Sequence, residues 1–164
     1  MPAAAASNAV AIRPARPGDL AALYAIEQTA FPGDRLSRRS LRRLVTRPSA
    51  ALFVAACGQT VVGYALVLFK RRSRRARLYS LAVASGHGGA GLGRALLAHA
   101  EAAAEARDCV TLTLEVRADN ARAIALYRAA GYRQTGCHPL YYEDEMAALR
   151  FEKPLPSATV RPLA

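Results

Sequence analysis

Cysteine is scarce in this 164-residue chain, and none of it is spaced for metal or redox chemistry. Cys57, Cys109 and Cys137 form no CxxC pair and no zinc-ligand spacing, and an odd number argues against a closed disulfide framework. Each stands in an apolar, strand-like stretch, which predicts small buried thiols in a reduced, cytoplasmic protein. His87, His99 and His138 share no ligand spacing, so no metal is expected. No apolar run approaches the roughly 18 residues of a membrane span, so no membrane partner is expected. Residues 1–8 lack the charged start and apolar centre of a signal peptide. They and residues 154–164 are expected to be tails, the first of them flexible, around one domain at 9–153.

Acidic residues are also few: 12 stand against 23 Lys and Arg, for a net charge of +11. Arginines cluster at 35–47 and in KRRSRRAR, 70–77. Such a surface attracts polyanions, whether a phosphorylated cofactor, an acidic substrate or partner, or RNA. It equally describes an arginine-rich face in contact with water. No aromatic residue interleaves with KRRSRRAR, which argues against a base-stacking platform and for a hairpin tip.

Hydrophobic residues, 52% of the chain, are arranged with clear periodicity. A short strand is expected at 9–14, then an amphipathic helix from Asp19 to Ala30 with Leu20, Leu23, Ile26 and Ala30 on one stripe. Ser37 can cap a second helix running to about residue 46. Strands at 51–57 and 60–69 flank Gly58-Gln59, a two-residue hairpin signal, and a third follows at 77–84. Beyond it the pattern changes to helix 93–107, strand 110–116, helix 120–130 ending at Gly131, and strands near 132–137 and 146–152. The fold class is α/β, a single-domain mixed sheet of about six or seven strands with about four helices. Its first strands meander antiparallel, and a parallel strand–helix–strand unit spans 77–116.

That unit contains the most informative stretch, LYSLAVASGHGGAGLGR at 78–94. A glycine-dense turn leading into a helix leaves backbone N–H groups free for phosphate. Gly86 to Gly91 match GxGxxG, and Glu115 ends the next strand where a ribose-binding acid belongs in a dinucleotide fold. Three strands precede the unit, however, and little chain follows it, whereas a dinucleotide fold begins with it. A Walker P-loop fails because Leu92-Gly93, not Lys and Ser or Thr, follow Gly91.

A third reading is the pyrophosphate of coenzyme A. Gly91-Leu92-Gly93-Arg94, with Leu96-Leu97 following, resembles the acyl-CoA signature of GNAT-family N-acetyltransferases. LEVRADNARAIALYRAAGY, 114–132, resembles the corresponding segment of RimI-type N-terminal acetyltransferases, with Glu115, Asn120 and Tyr127 in ungapped register. The resemblance covers about residues 10–153 and implies a GNAT fold and acetyl-CoA as co-substrate. One position departs: the family usually has Arg or Gln where this chain has Gly88, and Ala90 replaces a common polar residue. Backbone donors of Gly88, Gly89, Ala90, Gly91, Leu92 and Gly93 remain, and Arg94 adds charge in the first helical turn.

Amine acetylation needs a neutral amine, a polarised thioester and a protonated leaving thiol. Strand alternation puts Thr113, Glu115 and Arg117 on the face opposite Leu112, Leu114 and Val116. Glu115 is thus either a proton acceptor or half of a surface pair with Arg117. Asn120, Ile124 and Tyr127 share a helical stripe, where Asn120 suits a cap and Tyr127 either a core aromatic or an acid. The resemblance implies Glu115 as general base, Tyr127 as the acid for the thiolate, and Asn120 as a cofactor contact. It also implies main-chain pairing of Leu81, Ala82 and Val83 with pantetheine. No cysteine lies in this stretch, so direct transfer in a ternary complex is expected rather than a covalent acyl-enzyme.

Acceptor binding is expected at Phe31 in the 31–40 loop and at Tyr141 and Tyr142, which precede Glu143-Asp144-Glu145. RimI-type enzymes carry paired tyrosines there. The acceptor implied is a protein or peptide N-terminal α-amine, with small amines or lysines as rivals, and a non-catalytic CoA-binding or RNA-associated module as the contrasting class. A ribosomal or acidic partner would suit the basic surface. A monomer or a homodimer is expected.

Overall fold

A computed structural model of the protein describes residues 9–156 apart from 32, 34 and 90. The expected N-terminal tail and residues 157–164 lie outside the described residues, as does Ala90 of the glycine turn.

Strand β1 (Val10–Pro14) leads through a single 3-10 turn (Pro17–Asp19) into α1 (Leu20–Ala30). Asp19 belongs to that turn rather than to the helix, because its carboxylate accepts from the Arg13 guanidinium at 2.7 and 2.9 Å and from Arg16 N at 2.8 Å. Helix α2 (Arg38–Thr46) begins as expected, with Ser40 N donating to Ser37 Oγ at 3.1 Å. Its leucines Leu41 and Leu44 are buried, while Arg38, Arg39, Arg42 and Arg43 are not.

The hairpin β2 (Ala50–Cys57) and β3 (Thr60–Phe69) forms around Gly58-Gln59, and β4 (Arg75–Val83) returns antiparallel to β3. Then come α3 (Leu92–Ala106), β5 (Thr111–Arg117), α4 (Ala121–Ala129), β6 (Arg133–His138) and β7 (Ala148–Pro154). The seven strands lie in the order β1-β2-β3-β4-β5-β7-β6. Among the described residues only β4 and β5 pair in parallel. Leu23, Ile26, Leu41 and Leu44 pack against Val54, Tyr64 and Leu66 in one core. Leu96, Leu97, Ala100 and Tyr127 pack against Leu112, Leu114 and Phe151 in the other. The sheet is therefore covered by α1 and α2 on one face and by α3 and α4 on the other. No described helix is long and apolar enough to cross a membrane.

Three expectations need correction. The arginine run 70–77 is not all hairpin tip: Arg75 and Arg77 enter β4, where they pair with Glu152 and Glu115. Cys137 is exposed, because β6 is the last strand of the sheet and offers almost no buried face; Cys109 is buried, which pushes its thiol up, and Cys57 is half-buried. The folded part also continues past residue 153, since β7 includes Pro154 and the buried Leu155 donates its N–H to Val110 O at 2.8 Å.

A register shift between β3 and β4 shapes the open end of the sheet. Leu66 pairs with Ser80, but Val67 pairs with Leu78, so Tyr79 is an extra residue on β4. A bulge of this kind bends a strand and sharpens its twist. The parallel ladder to β5 covers only Arg75–Leu78 against Thr111–Leu114. Past the bulge the two strands part, and one backbone edge of β4 is released.

Candidate active site

A cavity of about 720 Å³ opens where β4 and β5 diverge. The cavity is lined by Arg77 to Leu81 of β4 and by Glu115, Val116 and Arg117 of β5. The start of α4 contributes Asn120, Ala123 and Tyr127. The end of α1 and the following loop add Glu27, Phe31, Gly33 and Arg35, and Tyr141 to Asp144 close the far side. Seven residues singled out in the sequence thus meet in one place: Phe31, Leu81, Glu115, Asn120, Tyr127, Tyr141 and Tyr142.

Glu115 does not pair with Arg117. Its Oε2 accepts from Arg77 Nε at 3.0 Å, and among the described residues Oε1 accepts no hydrogen bond. The side chain is mostly covered, 14% exposed. One oxygen is therefore fastened while the other is left to the cavity, the arrangement a positioned proton acceptor needs.

Tyr127 is buried, with its ring edge-on to Tyr132 at 5.8 Å, so it is a core aromatic that also reaches the cavity. Burial pushes its phenol well above the ordinary value near 10, and the nearby Tyr142 adds to this. The phenol is consequently protonated at neutral pH, as a proton donor must be. Asn120 caps α4, its Oδ1 accepting from Ala123 N at 3.1 Å, while still lining the cavity.

The paired tyrosines are held by two arginines. Arg77 Nη2 donates to Tyr141 Oη at 3.3 Å, and the Arg117 guanidinium lies 5.0 Å from the Tyr142 ring centroid. Arg117 also donates to Asp144 at 2.6 and 3.1 Å and to Asp119 at 3.1 and 3.2 Å. The first of these pairs lowers the Asp144 carboxyl below its ordinary value. The two rings meet edge to face at 5.0 Å and 84°.

Neither Arg77 nor the buried Glu27 stood out in the sequence. Glu27 is 2% exposed and binds the Tyr64 hydroxyl, which in turn lies 2.9 Å from Ser80 Oγ; its other oxygen accepts from Leu36 N at 3.0 Å. The loop carrying Phe31 is thereby tied to the sheet. An acid on the apolar stripe of a helix, one turn after Leu23, was the available signal.

The residues present fit acetyl-CoA. The released edge of β4 at Ser80–Val83 offers peptide groups that no described strand pairs with, of the kind that recognise the amides of a pantetheine arm. Their side chains serve the core instead: Ala82 packs toward α1 and α2, Leu81 and Val83 toward α3. The glycine turn follows directly. Gly91 caps α3 in a left-handed conformation (φ 75°) with no side-chain acceptor for the first amides. Leu92 is buried, and a Cβ on Gly93 would lie 3.2 Å from Leu126, so Gly93 serves the close packing of α3 on α4. Gly88 and Gly89 complete the turn. Arg94 is exposed and lines a separate hollow of about 200 Å³ with Leu97, Glu101, Ala129 and Lys153.

Comparisons with known proteins agree with this geometry. The profile of the acetyltransferase (GNAT) family matches residues 20–132. The [ribosomal protein bS18]-alanine N-acetyltransferase of Escherichia coli K12 is 46% identical over 67 residues, 41% of this chain and 45% of that protein, so the match spans less than half of that relative. The streptothricin acetyltransferase of Streptomyces lavendulae is 36% identical over 83 residues, 51% of this chain and 44% of that one. The crystal structure of the E. coli ribosomal-protein-S18-alanine N-acetyltransferase superposes with a TM-score of 0.82 at 30% identity, covering 95% of this chain and 99% of that one.

Proposed function

The chain belongs to the acetyltransferase (GNAT) family, and on that premise we propose that it acetylates the N-terminal α-amine of a peptide or protein, with acetyl-CoA as co-substrate. The observation that carries this reading is the convergence of Glu115, Tyr127 and the paired tyrosines on one cavity beside the released edge of β4. Bound acetyl-CoA supplies an activated acetyl thioester. The backbone at Ala82-Val83 binds and polarises the thioester carbonyl. Glu115 accepts the proton that the attacking amine loses, directly or through water, while Arg77 holds the carboxylate in place. Tyr127 donates its phenolic proton to the departing thiolate.

An α-amine has an ordinary pKa near 7.7 to 8.0 against about 10.4 for lysine, so a single carboxylate suffices at neutral pH for the former. Phe31, Tyr141 and Tyr142 form the walls that receive the first residues of the peptide. The named activity of the E. coli relative points to an acceptor that begins with a small residue such as alanine. Arg35 lines the cavity and the arginines of α2 face solvent, a basic surface that suits an acidic or ribosomal partner.

The test is thiol release from acetyl-CoA in the presence of peptides that begin with alanine, together with calorimetric binding of acetyl-CoA. Binding with peptide-dependent thiol release supports the reading. Binding with turnover only on small amines would move the function toward that class, and no binding at millimolar cofactor would overturn it.

A further inference from the structure

The position that departs from the family pattern, Gly88, is where another side chain has moved in. A Cβ built on Gly88 would collide with the guanidinium of Arg122, meeting Nη1 at 2.9 Å and Cζ at 3.0 Å. Gly88 is not in the left-handed region that Gly86, Gly89 and Gly91 occupy, so its backbone does not itself demand glycine. The glycine here accommodates an arginine reaching over from α4.

Arg122 is poorly explained by stability. It is exposed and lies in the first turn of α4, where the helix dipole disfavours a cation, and no acid in that turn offsets it. The nearby Asp119 is taken by Arg117, and Arg122 forms no ion pair with any described residue. An uncompensated guanidinium therefore lies against a turn whose helix-start amides have no side-chain cap. Arg94, the cation that the sequence offered for this turn, lines a different hollow.

We propose that Arg122 is the phosphate-binding cation of this protein, taking the diphosphate of acetyl-CoA from α4 in place of a side chain at position 88. A planar guanidinium donates two parallel hydrogen bonds to a phosphate, which suits it to this work. The inference rests on the reading of acetyl-CoA as co-substrate. It also makes the Gly88 departure a relocation of charge rather than a loss of it.

The experiment compares the full-length protein with Arg122→Ala, Gly88→Arg and the double variant by calorimetry with acetyl-CoA. Each is also assayed kinetically with S-acetylpantetheine, which has the thioester and the amide arm but no phosphate. Arg122→Ala should weaken acetyl-CoA binding by about tenfold or more, the size of a lost charged hydrogen bond. It should leave turnover of S-acetylpantetheine within about twofold, since no phosphate is present. Gly88→Arg alone should weaken binding through the collision, and combining it with Arg122→Ala should recover most of the affinity. Unchanged acetyl-CoA affinity in Arg122→Ala would overturn the inference, as would equal losses with the two thioesters. If the unaltered protein fails to bind acetyl-CoA, the enzymatic reading itself fails, and the two failures are told apart.

Discussion

Arg77 on β4 reaches across the gap to Glu115 on β5, Nε to Oε2 at 3.0 Å, two residues beyond the point where Arg77 stands opposite Thr113 in the parallel ladder. Its second arm reaches Tyr141 at 3.3 Å. A single guanidinium thus links the proposed base to the proposed acceptor wall at the place where the sheet opens. Because the pair is partly exposed, its contribution to stability is about 0–1 kcal/mol. Arg77→Ala should therefore leave the urea midpoint nearly unchanged. It should lower kcat/KM for the peptide by roughly tenfold through loss of positioning. Arg77→Lys should not restore it, because one ammonium cannot hold both partners in the same geometry. Steady-state kinetics of the two variants checks this.

Tyr127 supplies a cleaner test of proton donation. Its burial keeps the phenol protonated, so Tyr127→Phe removes one proton and almost no packing. Turnover should fall by about 100-fold, the lower range for a lost general acid, with the KM for acetyl-CoA little changed. An unchanged kcat would remove Tyr127 from the chemistry.

Buried phenols also set the alkaline limit of the fold. Burial pushes Tyr64, Tyr127 and Tyr132 above their ordinary value, and Glu27 and Glu101 respectively add to the effect at Tyr64 and Tyr132. A group whose pKa is higher in the folded state contributes stability that is complete below the unfolded value. That contribution is lost as pH rises beyond it. The urea midpoint should therefore drop as pH passes about 10, the unfolded phenol value. Tyr132→Phe should make the drop shallower. A flat profile from about pH 9 to 11 would contradict the burial of these rings.

Glu27 should matter for both stability and acceptor binding. Glu27→Ala leaves Leu36 N without its acceptor and removes the carboxylate bound to the Tyr64 hydroxyl. Unfolding free energy should fall by about 2 kcal/mol or more, typical for orphaned buried polar groups. The KM for the peptide should rise because the loop bearing Phe31 loses its tie. Urea titration and steady-state kinetics read the two effects separately.

Much of this was legible in the chain because it is local. The apolar runs of β2 and β3 on either side of Gly58-Gln59, the Ser37 cap and the spacing of Glu115, Asn120 and Tyr127 all lie within single elements or adjacent ones. The resemblance to GNAT enzymes supplied what local pattern could not, a choice among three phosphate cradles. Contacts set by long-range register stayed hidden. Arg77 and Glu115 are 38 residues apart, and the bulge at Tyr79 that parts their strands leaves no mark in an alternating run. Gly88 stood out only as a departure from the family pattern, because the arginine that fills its space comes from a later helix. Cys137 read as buried because nothing in RQTGCH reveals that β6 ends the sheet.

The central claim is acetyl transfer to an α-amine with Glu115 as the base, and one measurement addresses it directly. A peptide that begins with alanine and carries an internal lysine is incubated with acetyl-CoA and with either the unaltered protein or Glu115→Gln, and tandem mass spectrometry locates the acetyl group. The account predicts acetylation at the N-terminal nitrogen by the unaltered protein and turnover lower by about 100-fold in the variant. Acetyl found only on the lysine, or equal rates for the two proteins, would contradict it.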